Sequence, residues 1–137
     1  MAVAVGIWIY MYLQNDTLLK GWPEDLSAAL ADAKQTNRRV LVFFIGNPPN
    51  NDAVWMAGNT LDKSQNKTAI EQGRFARVKV VVDSLDSDIA RQYKLTRLPT
   101  MLILDAKGGE LNRREGVVGE VPFRHGFLDL AVPSSPP

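Results

Sequence analysis

Residues 77–105, RVKVVVDSLDSDIARQYKLTRLPTMLILD, are the stretch on which the fold turns. Arg77–Asp83 is rich in β-branched residues and predicts a strand. An acidic link follows, and Ser84 or Asp86 is available to cap a short helix over Asp86–Tyr93. Arg97-Leu98-Pro99-Thr100 reads as a proline turn. Thr100–Asp105 is a second apolar strand, Ala106–Gly109 a turn, and Glu110–Val117 the strand that returns from it.

Upstream, Arg39–Ile45 (RVLVFFI) is a short continuous apolar run. With its β-branched and aromatic content it predicts a central strand buried on both faces. Before it, Leu26, Ala29, Leu30 and Ala33 recur at helical spacing, with Pro23, Glu24 and Asp25 suited to a first helical turn. After it, Gly46–Asp52 (GNPPNND) is a concentrated turn signal. A helix is expected to start there and to carry Val54, Trp55, Met56 and Leu61, with a weak point at Gly58-Asn59. Trp55 and Met56 are adjacent and cannot share one helical face, so at least one of them belongs to the core. A second helical stretch is expected from about Ser64 to Gln72, stopped by Gly73. Glu120–Leu130 is expected as a last helix, with Pro122 in its first turn and Phe123, Phe127 and Leu130 on one face. Helices on both sides of a mixed sheet of four or five strands, an α/β domain, follow from this order.

The order and its punctuation resemble the thioredoxin superfamily, in the branch whose domain opens with a tryptophan, a helix and a VLV-type strand. Four matches carry the resemblance: Trp22–Ala33 to the entry helix, Val40–Gly46 to the strand entering the active site, Arg77–Leu95 to the third strand with its acidic link and short helix, and Arg97–Thr100 to the turn whose proline is cis. The resemblance runs from about Leu18 to Leu130. It divides the chain into an apolar segment 1–17, a thioredoxin-like domain 18–131 and a Pro-rich tail 132–137.

The departure from the family is chemical. The family places Cys-x-x-Cys where the first central strand feeds the next helix, and this chain has no cysteine. Thiolate catalysis, disulfides and Cys-ligated metals are therefore excluded. Anchoring on both sides of the loop puts Asn50 and Ala53 at the cysteine positions. Counting from the strand without an inserted residue gives Pro49 and Asp52. The degenerate loop is thus Pro49, Asn50, Asn51, Asp52 and Ala53, with no nucleophile in either register. The resemblance also implies that the Leu98-Pro99-Thr100 turn lies beside this loop and offers backbone to an extended peptide. The competing reading gives Pro99 a purely structural role.

The 137 residues suit one domain, and 16 Lys plus Arg against 15 Asp plus Glu give a net charge of +1. That balance provides no electrostatic argument for nucleic acid. The one histidine, His125, has no serine or acid obviously placed to form a triad. Asp83, Asp86 and Asp88 fail the EF-hand pattern and read as caps and a solvated link. Lys107-Gly108-Gly109 is a hairpin turn and not a phosphate loop, since no helix follows it. Asn15-Asp16-Thr17 and Asn66-Lys67-Thr68 match the glycosylation sequon.

Met1–Leu13 (MAVAVGIWIYMYL) contains no charge. Thirteen helical residues span about 20 Å, less than the roughly 30 Å hydrocarbon core. Three readings stay open for it: a membrane anchor, a strand or arm packed on the domain, or a secretion signal without its usual positive start. For the whole chain, a redox-inactive binding or scaffold module is the leading expectation. A thioredoxin-fold enzyme using non-thiol chemistry in the 46–52 loop, and an accessory subunit docking through the apolar N-terminus, are the alternatives. No cofactor is expected. The expected partner is a protein or peptide at the Pro99 surface, with membrane association through residues 1–13.

Overall fold

The structure, a computed structural model, describes residues 18–129. Segment 1–13, the 132–137 tail and Leu130 lie outside the described residues. Within them the elements are α1 (Leu26–Thr36), β1 (Val40–Gly46), α2 (Asn51–Met56) with a π-helical turn (Ala57–Leu61), α3 (Ser64–Gln72), β2 (Ala76–Val82), α4 (Asp88–Gln92), β3 (Thr100–Leu104), β4 (Glu110–Glu115) and α5 (Glu120–Pro122). The four strands form one sheet in the order β2-β1-β3-β4. β1 and β2 run parallel, with Val42 opposite Val78. β3 is antiparallel to both β1 and β4.

Val40 to Ile45 are all fully buried, as the unbroken apolar run of β1 requires. Their alternation divides them between two cores. Leu41, Phe43 and Ile45 pack with Met56, Leu61, Ile70, Phe123 and Phe127 on one face. Val40, Val42 and Phe44 pack with Leu26, Ala33 and Ala90 on the other. Helices therefore cover both faces, which is the α/β architecture of the thioredoxin fold. No helix among the described residues is long and apolar enough to cross a membrane.

Several local boundaries differ from the sequence expectation. α1 starts at Leu26, because the Asp25 carboxylate accepts the Ala28 N–H at 3.0 Å and makes Asp25 the N-cap. Pro23 and Glu24 precede the helix. The Pro23 carbonyl instead accepts the Lys79 N–H at 2.8 Å, which sets the 18–24 segment against edge strand β2. α4 is capped by Ser87, and Ser84 organises the turn before it, its carbonyl accepting the Ser87 hydroxyl. Gly73 ends α3 with φ −74°, while Arg74 takes the left-handed conformation. Glycine is needed at 73 for space: a Cβ there would lie 2.5 Å from the Phe75 ring.

The last expected helix is not continuous. Helical backbone begins at Glu120, but His125 (φ −113°, ψ 87°) and Gly126 (φ 136°) break it. Gly126 tolerates a backbone that a side chain would strain. Its N–H is satisfied by Asp129 at 2.7 Å and its carbonyl by Arg114 at 2.9 Å. Phe123, Phe127 and Leu128 are buried on this broken segment.

Candidate functional site

The sheet's topology collects four loops at one end. Parallel β1 and β2 both finish there, at Gly46 and Val82, and antiparallel β3 starts there, where Thr100 pairs with Glu115 at the end of β4. Loops 46–50, 83–87, 96–99 and 116–119 therefore share that edge. It holds both parts of the expected site, the degenerate loop and the Pro99 turn.

Asn50 joins the two. Its side-chain oxygen accepts the Ala53 N–H at 2.9 Å and caps α2. Its amide nitrogen donates to the Leu98 carbonyl, also at 2.9 Å. An asparagine does both because it carries an acceptor and a donor on one short side chain. Ala53 is buried, Asp52 and Pro49 are half-buried, and Asn51 is exposed in the first turn of α2. The Leu98–Pro99 peptide bond is cis, and so is Asn47–Pro48, which the sequence reading did not single out.

Other polar groups of the turn are engaged as well. The Pro99 carbonyl accepts the Gly116 N–H at 2.8 Å, and the buried Thr100 hydroxyl donates to the Arg97 carbonyl at 2.7 Å. Thr96 donates to the Glu115 carboxylate at 3.0 Å. Gly116 (φ 79°) lies so close under Arg97 that a Cβ would approach the guanidinium carbon to 2.8 Å. The 96–99 and 116–119 loops thus form one locked unit. Asn50 already occupies one acceptor site of the Leu98 carbonyl, so a pairing peptide must use the other or displace the asparagine.

Sequence reasoning missed the buried network behind this unit. Asn66 is fully buried. Its amide donates to the Thr60 and Glu120 carbonyls at 2.8 and 3.1 Å, and its oxygen accepts from Arg124 at 2.8 Å. Thr60 donates to the Val118 carbonyl at 2.6 Å. The π-helical turn falls at the expected weak point around Gly58-Asn59 and delivers Thr60 to that carbonyl. These bonds fix the 116–120 loop from below. They also leave no access for a glycan on the Asn66 sequon in the folded domain.

Outside this end, Met56 is buried and Trp55 is 45% exposed, so the adjacent pair divides between core and surface. The exposed His125 comes within 3.7 Å of Asp129. Among the described residues no group of three or more His, Cys, Asp or Glu is gathered to hold a metal.

The fold and this end of the sheet define a thioredoxin-fold domain whose thiol positions hold no thiol. The chain belongs to the thioredoxin-like family, whose model matches residues 21–106. No curated protein sequence matches it. Among solved structures it is similar to DsbH, described as an oxidoreductase, with 21% identity over 80% of this chain and 83% of that one and a TM-score of 0.65. It is similar to the oxidised C-terminal domain of DsbD from Neisseria meningitidis, at 19% identity over 80% and 98% of the two chains with a TM-score of 0.64. A thioredoxin from Thermus thermophilus matches at 24% identity over 81% and 85%, with a TM-score of 0.62. These likenesses concern the fold. With no cysteine in the chain, the disulfide chemistry of a thioredoxin is not available to it.

Proposed function

We propose that the domain is a redox-inactive binding module that docks an extended apolar segment of a partner protein across the end of its sheet. The observation that carries this reading is the exposure of Leu85 and Val117, at 40% and 49%, on the loops that flank the Asn50–Leu98 pair. The two loops follow the outer strands β2 and β4 at the same end of the sheet, so the two side chains stand on either side of that pair. Asn50 holds the Leu98 carbonyl in the free domain. Side-chain contacts with Leu85 and Val117 therefore supply most of the binding, and backbone pairing at Leu98 competes with Asn50.

A reduced, carboxymethylated unfolded polypeptide is a suitable probe, because it offers extended apolar segments and no thiol. Leu85→Asp with Val117→Asp is expected to weaken its binding by about tenfold or more, since each buried aliphatic contact is worth on the order of 1–2 kcal/mol. Asn50→Ser keeps an oxygen for the α2 cap but lacks the reach to Leu98, and is expected to tighten binding. Unchanged affinity in the double aspartate variant, with the fold intact, rules the reading out.

Residues 1–13 are read as a tether that holds the module at a membrane, on the strength of their charge-free composition. The full chain is then expected to float with liposomes, and a chain lacking residues 1–17 to remain folded and stay in solution. The cut has to spare Leu18, which is buried and whose carbonyl accepts from Lys79. Equal flotation of the two chains contradicts the tether.

A further inference from the structure

Arg77 takes no part in the surface described above. It sits near the start of β2, about 16 Å along the strand from the end that meets the loops. Lys79, two residues on and on the same face, is buried and engaged by the Leu18 carbonyl at 2.6 Å and Glu24 at 3.5 Å. Arg77 differs. It is half-buried, its guanidinium carbon lies 5.8 Å from the centre of the Trp22 ring, and among the described residues its side chain has no hydrogen bond or ion pair. A guanidinium presents five donors in a planar fork suited to a carboxylate.

Arg77 lines a cavity of about 540 Å³ between the 18–22 segment and the α2–α3 layer. The volume is in the range of small-molecule sites. Leu18, Trp22, Val54 and Ala57 give it apolar walls. Lys67 and Asp62 on its rim neutralise each other at 3.3 Å. Lys20 and Arg77 remain as two cations with no carboxylate partner among the described residues. A second cavity that Arg77 also lines carries Glu24, Asp25, Asp32 and Glu71 against Arg38, an acidic excess that disfavours an anion. The charge distribution thus directs an anion to the first cavity.

We propose that this cavity binds a small amphiphilic carboxylate. The acid group pairs with the Arg77 fork, Lys20 adds charge at the rim, and the hydrocarbon lies against Trp22, Val54 and Ala57. A single half-buried guanidinium suits a monoanion, and the apolar walls suit a chain of several carbons. The site is independent of partner docking at the far end of the sheet.

The test titrates the isotopically labelled full chain with octanoate and, separately, with octanol, following the Trp22 indole and Arg77 side-chain N–H signals. Octanoate is expected to shift both signals and to bind about tenfold or more tightly than octanol, the scale of one charge-assisted pair. Arg77→Gln is expected to bring octanoate down to the octanol level. Equal binding of acid and alcohol, or no shift of the Trp22 indole, overturns the proposal. Should Arg77→Gln fail to fold, the acid-to-alcohol comparison on the unaltered chain decides alone.

Discussion

The double change Asn50→Cys, Ala53→Cys is expected to give the domain a disulfide-reducing activity that the native chain wholly lacks. Asn50 stands at the N-cap of α2, and its side-chain oxygen is 2.9 Å from the Ala53 backbone nitrogen, so the two residues face each other across the first helical turn. A disulfide needs Cβ atoms roughly 3.5–4.5 Å apart. A thiol at a helix N-terminus is held below the ordinary cysteine pKa of about 8.5. Removing the Asn50 cap costs about 1 kcal/mol, which leaves the variant folded. Insulin reduction, thiol pKa and reduction potential are the measurements. The rival pair, Pro49→Cys with Asp52→Cys, is expected to close poorly, because Pro49 precedes the cap. If neither pair forms an internal disulfide, the loop has lost the geometry of the family's active site.

Asn66→Ala is expected to destabilise the domain by about 2–4 kcal/mol, read as a lower urea midpoint. Three buried or half-buried groups lose their partner at once: the Thr60 and Glu120 carbonyls and the Arg124 guanidinium. Each unsatisfied buried group costs about 1–3 kcal/mol, partly recovered by relaxation. Asn66→Asp keeps an acceptor for Arg124 but loses both donations, and is expected to destabilise nearly as much. The Val117, Val118 and Gly119 amides are also expected to shift, since the network holds their loop. A loss below about 0.5 kcal/mol would mean that water replaces the side chain at no cost.

Much of the fold was legible because burial here follows local pattern. The run at Val40–Ile45 is apolar at every position because β1 lies between two covered neighbours, and the sheet bears this out. The helix over Ser64–Gln72 was legible from its punctuation, although Gly73 ends it for a different reason than expected. The last helix misled because the spacing of Phe123 and Phe127 is helical while Gly126 between them is not. At the site, Asn50 and Leu98 were placed by the resemblance, but the hydrogen bond between them was not readable from either segment alone. Asn66 looks like a surface residue in SQNKTAIEQ, and its burial depends on partners such as Glu120 and Arg124, 54 and 58 residues away. Arg77 alternates with Lys79 in RVKVVVD, and nothing in that segment separates it from the buried, engaged Lys79.

A thiol-free thioredoxin-like domain that docks a partner as proposed uses the end of its sheet to do so. Amide shift mapping of the unaltered chain during titration with the carboxymethylated polypeptide locates the bound segment residue by residue. Shifts are expected to concentrate at Asn50, Leu85, Leu98 and Val117–Gly119, with the Asn50 side-chain amide among the largest. Binding that leaves those signals in place, or shifts that map to another face, would contradict the proposed docking.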